Sequence, residues 1–240
     1  ACIALIEADP AMSLEEPPPG LEEQAIEAQN KAAFLMDLRA RGIQDLNLLR
    51  ALEIVPREIF VPHRFADLAR RAIALPLRCG QTLPEPWLTA RMIEALAPLP
   101  RHRVLEIGTG SGYATALLAR LAREVLSIER FKSLAIEAEA RLARLAITNA
   151  GVVFGDGLAI LPGIGPFDRV IVQGLLAEVP ENLIAALSED GLLVAARPDP
   201  KTPSRQHIAR IARNRVGGTD ESPVCPSRLQ ALLPGEALAL

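Results

Sequence analysis

Aromatic side chains are scarce in this 240-residue chain, with six Phe, one Tyr and one Trp. Single-stranded nucleic acids are held by aromatic stacking platforms in a basic groove. With so few aromatics, and with 26 basic against 29 acidic side chains for a net charge of −3, the sequence argues against a nucleic-acid partner. Cysteine is as sparse. Cys2, Cys79 and Cys225 are odd in number and far apart, which excludes a disulfide scaffold and fits a reducing, cytoplasmic compartment. No CxxC pair or Cys/His cluster is present, so no metal site is expected. Long apolar runs are also missing, which argues against a membrane span. The opening ACIALIEADPAM has no basic region of the kind that starts a secretory signal. It has no initiating Met either; Met12 is one candidate start.

What the chain does have is aliphatic bulk. Half of its residues are hydrophobic, too many for a disordered chain, and Leu, Ala, Ile and Val must build the core. The length suits one full domain with an appendage. Residues 1–20 read as an acidic tail: the first 30 residues hold acids and no base, and Pro17, Pro18, Pro19 and Gly20 forbid a helix there. Residues 21–240 read as one domain, with a helical subregion over 21–100, a cofactor-binding core over 101–197 and an extension over 198–240. Helical spacing covers Leu21 to Arg41, with Gly42 as the stop, and then Asp45 to Ile54 before Pro56. Residues 57–85 are mixed, because Pro62, Pro76 and Pro84 interrupt any long element.

The rhythm then changes. Short apolar runs at 103–107, 125–129, 152–154, 167–172 and 191–196 read as buried strands. They alternate with helical patterns at 113–121, 134–145 and 181–187. The expected fold is α/β: a doubly wound, mostly parallel, Rossmann-like sheet covered on both faces, with N-terminal helices and an added C-terminal edge strand near 207–216. The stretch 197–228 has a basic excess, read either as a site for an anionic partner or as a solvated face offsetting the acidic N-terminus.

The densest chemical signal is Val104-Leu-Glu106-Ile-Gly108-Thr109-Gly110-Ser111-Gly112-Tyr113. A strand enters a glycine-rich turn that opens a helix, where the backbone approaches a ligand closely and free amides face it. Glu129 ends the following strand, about 20 residues beyond the loop, where an acid takes both hydroxyls of a ribose. Two nucleoside cofactors suit this arrangement. A dinucleotide fingerprint needs a third glycine where Tyr113 stands. The tighter G-x-G-x-G after Glu106 resembles the first motif of class I methyltransferases that use S-adenosylmethionine. Gly155-Asp156-Gly157 resembles their adenine loop, in which the acid accepts from the exocyclic amine. In isolation Asp156 is equally a turn residue.

A longer series narrows the resemblance. Val55-Pro-Arg57-Glu-Ile-Phe60-Val-Pro62, Gly80-Gln-Thr82-Leu, Pro86, the glycine loop, Ser127-Ile-Glu129-Arg130, Gly155-Asp-Gly157, Pro166-Phe-Asp168 and Pro180 occur in order. The series resembles the protein-L-isoaspartate O-methyltransferase family over about residues 25–230. The resemblance implies transfer of a methyl group from S-adenosyl-L-methionine to the carboxylate of isoaspartyl residues in damaged peptides and proteins, by a cytoplasmic monomer. It implies cofactor binding by Glu106, Gly108, Thr109, Gly110, Ser111, Gly112, Glu129, Arg130, Asp156 and Gly157, and a catalytic part for Thr82. The acceptor loop departs from the family pattern. Where members carry Gly-x-Thr-Ile-Ser-x-Pro, this chain reads Gly80-Gln-Thr82-Leu-Pro84-Glu85-Pro86, and proline offers neither hydroxyl nor amide hydrogen. Glu85, Trp87 and Gln173 are further differences near the acceptor. Two alternatives therefore stand beside the repair activity: a methyltransferase with another acceptor, and an inactive module that binds S-adenosylmethionine. Arg57 and His63 are candidates to hold an anionic substrate, although an Arg in such a place is more often a structural clamp between loops, and Asp168 reads as structural.

Overall fold

A computed structural model describes residues 20–160, 163–214 and 218–237. Residues 1–19, and with them the acidic tail, Cys2 and Met12, lie outside the described residues. Among the described residues no helix is long and apolar enough to cross a membrane.

The chain begins with α1 (Leu21–Ala40) and α2 (Leu46–Ile54). Asp45 caps α2, its side chain accepting from the Leu48 amide at 2.9 Å, the favoured arrangement at a helix start. Two short 3-10 helices, Arg57–Phe60 and His63–Leu68, follow. A two-stranded ribbon, β1 (Leu75–Pro76) and β2 (Thr82–Leu83), then leads into α3 (Pro86–Leu96). Pro86 occupies the first turn of α3, where its missing amide hydrogen costs nothing.

Beyond it come β3 (Arg103–Ile107), α4 (Tyr113–Leu121), β4 (Glu124–Glu129), α5 (Lys132–Arg144) and β5 (Ala150–Phe154). Then follow β6 (Phe167–Leu175), α6 (Glu181–Ala185), β7 (Leu187–Pro198), β8 (Gln206–Arg213) and β9 (Thr219–Ser227). The main sheet has the order β5-β4-β3-β6-β7-β8-β9. Its first five strands are parallel, and β8 and β9 add antiparallel. The chain winds outward from β3 to β5, then returns to pair β6 on the other side of β3. The crevice at the carboxyl ends of β3 and β6 is the switch point at which open α/β sheets take their ligands.

Strand alternation divides the core between the two faces. Val104, Ile171 and Val194 pack with α2, α3 and α4, whereas Leu105, Val170, Val172 and Leu193 pack with Ile160, Leu183 and Ala186 near α6. The expected doubly wound architecture is present, with β5, β6 and β7 longer than the sequence pattern marks and α6 ending at Ala185, two residues short of the expected helix. β7 starts at Leu187, ahead of the apolar run at Gly191. The single edge strand expected near 207–216 is a pair, β8 and β9, and residues 215–216 of that expectation lie outside the described residues. β9 escapes a pattern search because it is an edge with Pro223 and Pro226 and little burial, and edge strands tolerate such residues.

Leu193 sits at the centre of the sheet and is fully buried. Leu193→Ala is expected to lower unfolding stability by about 2–5 kcal/mol, through lost burial and the cavity left behind, read as a lower midpoint in urea.

Candidate functional site

A cavity of about 720 Å3 opens at the switch point, within the size range of small-molecule and cofactor sites. Three stretches of chain wall it. The first is the segment 72–88 with the β1–β2 ribbon, the second comprises the loops after β3, β4 and β5 together with Gln173 of β6, and the third is the C-terminal segment from Pro226 to Leu233.

The glycine loop forms the floor. Gly108, Gly110 and Gly112 all have positive φ, at 89°, 56° and 88°, a conformation that L side chains rarely adopt. Gly112 has a second reason to lack a side chain, since a Cβ there would stand 3.1 Å from the Cβ of Ala138 on α5. Its part is to seat α4 against α5, and it is not among the lining residues. Glu129 lies at the end of β4, nearly buried at 4 % exposure. Its carboxylate accepts from the Gly110 amide at 2.7 Å and from the Phe131 amide at 2.9 Å. Each oxygen retains a lone pair for a further donor. Burial raises its pKa, against the lowering effect of the Phe131 and Gly110 amides.

Glu106 does not reach the cavity. It is fully buried under the loop, where it accepts from the hydroxyls of Thr115 and Ser127 (2.7 Å for Ser127) and from Gln173 Nε2 at 3.1 Å. Ser127 also meets the Thr109 hydroxyl at 2.6 Å, so Thr109, though it lines the cavity, has its side chain turned to this network. Desolvation pushes the Glu106 carboxyl up to about 7, outweighing the hydrogen bonds from Thr115, Ser127 and Gln173. The expectation of direct cofactor contact is thus corrected for Glu106 and Gly112. One props the floor and the other packs it.

Asp156 and Arg130 do line the cavity, and both are engaged by the C-terminal segment. Asp156 accepts from the Leu158 amide at 2.9 Å and from the Gly235 amide at 2.6 Å. Arg130 donates to the carbonyls of Gly235 and Pro234 at 3.0 and 3.4 Å. Gly157 is packed so closely on Ile107 that a Cβ would collide with it. Ser111 lines the cavity with a buried hydroxyl that has no partner.

On the opposite wall, Thr82 is exposed to the cavity. Glu85 is held by Arg41, whose Nη2 reaches its two oxygens at 3.1 and 3.2 Å. Arg57 is the clamp between loops: its guanidinium donates to the carbonyls of Ala69 and Pro84 and is 2 % exposed. Burial lowers its pKa to about 10. His63 is exposed and does not line the cavity. Asp168 is structural, accepting from the Arg103 amide at 2.7 Å. The C-terminal segment that lines the cavity, with Ser227, Arg228 and Gln230, forms no motif in the sequence, although Arg228 ends the basic stretch 197–228.

The family model described as protein-L-isoaspartate(D-aspartate) O-methyltransferase matches residues 29–225. The chain belongs to this family. A Rhodopseudomonas palustris (strain HaA2) protein-L-isoaspartate O-methyltransferase 2 is 46 % identical over 210 residues, 88 % of this chain and 95 % of the relative. An Azorhizobium caulinodans protein-L-isoaspartate O-methyltransferase is 40 % identical over 220 residues, 92 % of this chain and all of the relative. A solved protein-L-isoaspartate O-methyltransferase superposes with a TM-score of 0.74 at 25 % identity, over 84 % of this chain and 65 % of that one. A Plasmodium falciparum structure assigned as a beta-aspartate methyltransferase, in complex with S-adenosyl-L-homocysteine, has a TM-score of 0.72 at 22 % identity, over 85 % of this chain and 98 % of that one. This last likeness concerns the fold alone.

The Glu106 network carries a pH signature. In this family member burial pushes the folded carboxyl up to about 7, whereas the unfolded one keeps the ordinary glutamate value of 4.5. Below both values the two states carry the proton alike. Between them the folded state keeps a proton that the unfolded chain has released, so stability falls as pH rises through that window and levels off above it. The loss is on the order of 3 kcal/mol. Glu106→Gln is expected to remove this decline, read from urea midpoints at about pH 5 and about pH 8.

Proposed function

We propose that this chain is an S-adenosyl-L-methionine-dependent O-methyltransferase acting on the carboxylate of L-isoaspartyl residues in peptides and proteins. The observation that carries the reading is one cavity that joins a nucleoside-type floor to the acceptor loop of the family. The floor combines a glycine turn, the N-terminus of α4 and the Glu129 carboxylate. The names of the relatives support the acceptor. The residues fit the cofactor on their own chemistry. Glu129 has lone pairs left for two ribose hydroxyls, the unpartnered Ser111 hydroxyl and the α4 N-terminus suit a carboxylate, and Asp156 can accept from an exocyclic amine. Arg130 and Gly157 shape the same pocket.

When bound, S-adenosyl-L-methionine would supply a methyl group on a sulfonium, an electrophilic carbon open to attack by a carboxylate, with the thioether as leaving group and no proton transfer. The acceptor carboxylate is already ionised at neutral pH, so a general base is not required of Thr82 or Glu85. The protein contributes alignment and exclusion of water. Thr82 offers a hydroxyl to the acceptor. Arg41 offsets the charge of Glu85, which would otherwise repel an anionic peptide. Pro84 fixes the backbone of the loop, with its carbonyl tied to Arg57. The reading includes action by a single chain in a reducing compartment, in keeping with the free thiols of Cys79 and Cys225.

Incubation with methyl-labelled S-adenosyl-L-methionine and an isoaspartyl peptide is expected to give a base-labile methyl ester; no ester above background refutes the reading. Glu129→Ala is expected to weaken S-adenosyl-L-homocysteine binding by more than about tenfold, since two hydrogen bonds to a charged acceptor are lost. Calorimetric titration measures this, and an unchanged Kd would displace the ribose site from Glu129.

A further inference from the structure

The basic excess of residues 197–228 separates into two kinds of side chain. Arg197 donates to the carbonyls of Leu176 and Ala177, both at 2.7 Å, and Arg213 to that of Leu187 at 3.2 Å. These hold the sheet's own backbone. Arg228, which ends the stretch, lines the cavity and is exposed there. Its guanidinium makes no hydrogen bond or ion pair among the described residues. The other charged groups at the cavity are engaged. Glu85 is held by Arg41, Arg130 by the carbonyls of Pro234 and Gly235, and Glu129 and Asp156 by backbone amides.

The neighbours of Arg228 set its place. The amide and carbonyl of Leu229 are both bonded to the Gln206 side chain of β8, at 2.9 and 3.1 Å. Gln230 Nε2 donates to the Gly80 carbonyl at 3.0 Å, in the turn between β1 and β2 that leads to Thr82. The Gln230 carbonyl accepts from the Leu175 amide at 2.8 Å. The segment therefore runs from the acceptor ribbon, at Gln230, to the cofactor floor, where Gly235 meets Asp156 and Arg130. Arg228 precedes the ribbon contact and belongs to the acceptor end. An anionic peptide entering this cavity meets three acids, Glu85, Glu129 and Asp156. Arg41 offsets the first, and Arg130 stands at the far end with the last. Pro84 offers neither hydroxyl nor amide hydrogen, and the Thr82 hydroxyl is a neutral donor. Arg228 adds a permanent cation whose N–H fork matches a carboxylate.

We propose that Arg228 binds the isoaspartyl carboxylate, donating to one of its oxygens and leaving the other free to attack the methyl group. The inference rests on the functional reading above. Arg228 keeps its protons throughout. The free carboxylate oxygen forms the bond to the methyl carbon as the bond from carbon to sulfur breaks, and that electron pair stays on sulfur. The transfer turns an anion into a neutral ester, so the attraction to Arg228 is greater for substrate than for product. Arg228 thus serves peptide binding, and its loss of hold on the ester favours release.

Arg228→Gln and Arg228→Lys test this in the full chain, with an acetylated and amidated peptide whose isoaspartyl carboxylate is its only anion. The side chain is exposed and unpartnered, and an unchanged urea midpoint verifies that both variants fold. Arg228→Gln is expected to raise KM about tenfold or more without lowering kcat, and to flatten the rise of KM with added salt. Arg228→Lys keeps the charge and is expected to recover part of the loss. The Kd for S-adenosyl-L-homocysteine is expected to stay the same in both. An unchanged KM overturns the inference while leaving the functional reading intact. A KM raised only for a peptide carrying a second, flanking acid also overturns it, by assigning Arg228 to that acid. Weakened S-adenosyl-L-homocysteine binding with an unchanged KM overturns it as well, by assigning Arg228 to the cofactor. Absence of transfer by the unsubstituted chain overturns the functional reading and this inference together.

Discussion

A single carboxyl, completely buried beneath the glycine loop, ties together the elements on which the site stands. Glu106 of β3 accepts from Thr115 on α4, Ser127 on β4 and Gln173 on β6. Through Ser127 it also reaches Thr109 in the loop itself. Burying a carboxyl is costly unless it is hydrogen-bonded, and here three donors converge on it while desolvation still drives its titration toward neutrality. The network is therefore stringent. Its four elements must keep their relative positions for the carboxyl to be satisfied, and that requirement holds the floor of the cavity at the switch point of the sheet.

The other walls hang on similar fixed points. On the acceptor side, Arg57 spans two carbonyls and the face of Tyr113, so the ribbon from β1 to β2 cannot shift independently of α4. On the far side, the C-terminal segment returns across the sheet. Leu175 donates to the Gln230 carbonyl at 2.8 Å, Leu232 to the Leu175 carbonyl at 3.0 Å, and Ala237 to the Arg130 carbonyl at 2.7 Å. The cavity is thus assembled from residues far apart in the chain, each wall bound to the floor by hydrogen bonds to backbone groups. Such bonds do not depend on the identity of the carbonyl's side chain, and this is how Pro84 fits where another residue would serve as well structurally.

Much of the fold was legible in the sequence because burial on both faces of a parallel sheet writes continuous apolar runs, and β3, α4 and β4 fall where those runs and the glycine turn place them. The legible part of the site lies where loop geometry and charge coincide in a short stretch, as at Gly108, Gly110 and Glu129. Glu106 was misread because an acid next to a glycine loop has the same local signature whether it points up to a ligand or down into the core. Only the position of Thr115, Ser127 and Gln173 around it distinguishes the two. β9 and the segment after it were illegible because an exposed edge with two prolines carries no burial pattern.

The sequence by itself determined the class of fold, the glycine turn and its acidic partner, and the family, since all of these follow from local spacing and residue type. Only the tertiary structure decided which polar groups face the cavity and which are already satisfied. It turned Arg57 and Glu106 into supports and gave Asp156 and Arg130 a common partner in the C-terminal segment. It also left the buried hydroxyl of Ser111, a residue of the cavity wall, unpaired. The physical reason is that a hydrogen bond is fixed by three-dimensional distance and direction, within a few tenths of an ångström, and residues a hundred positions apart carry no local trace of it.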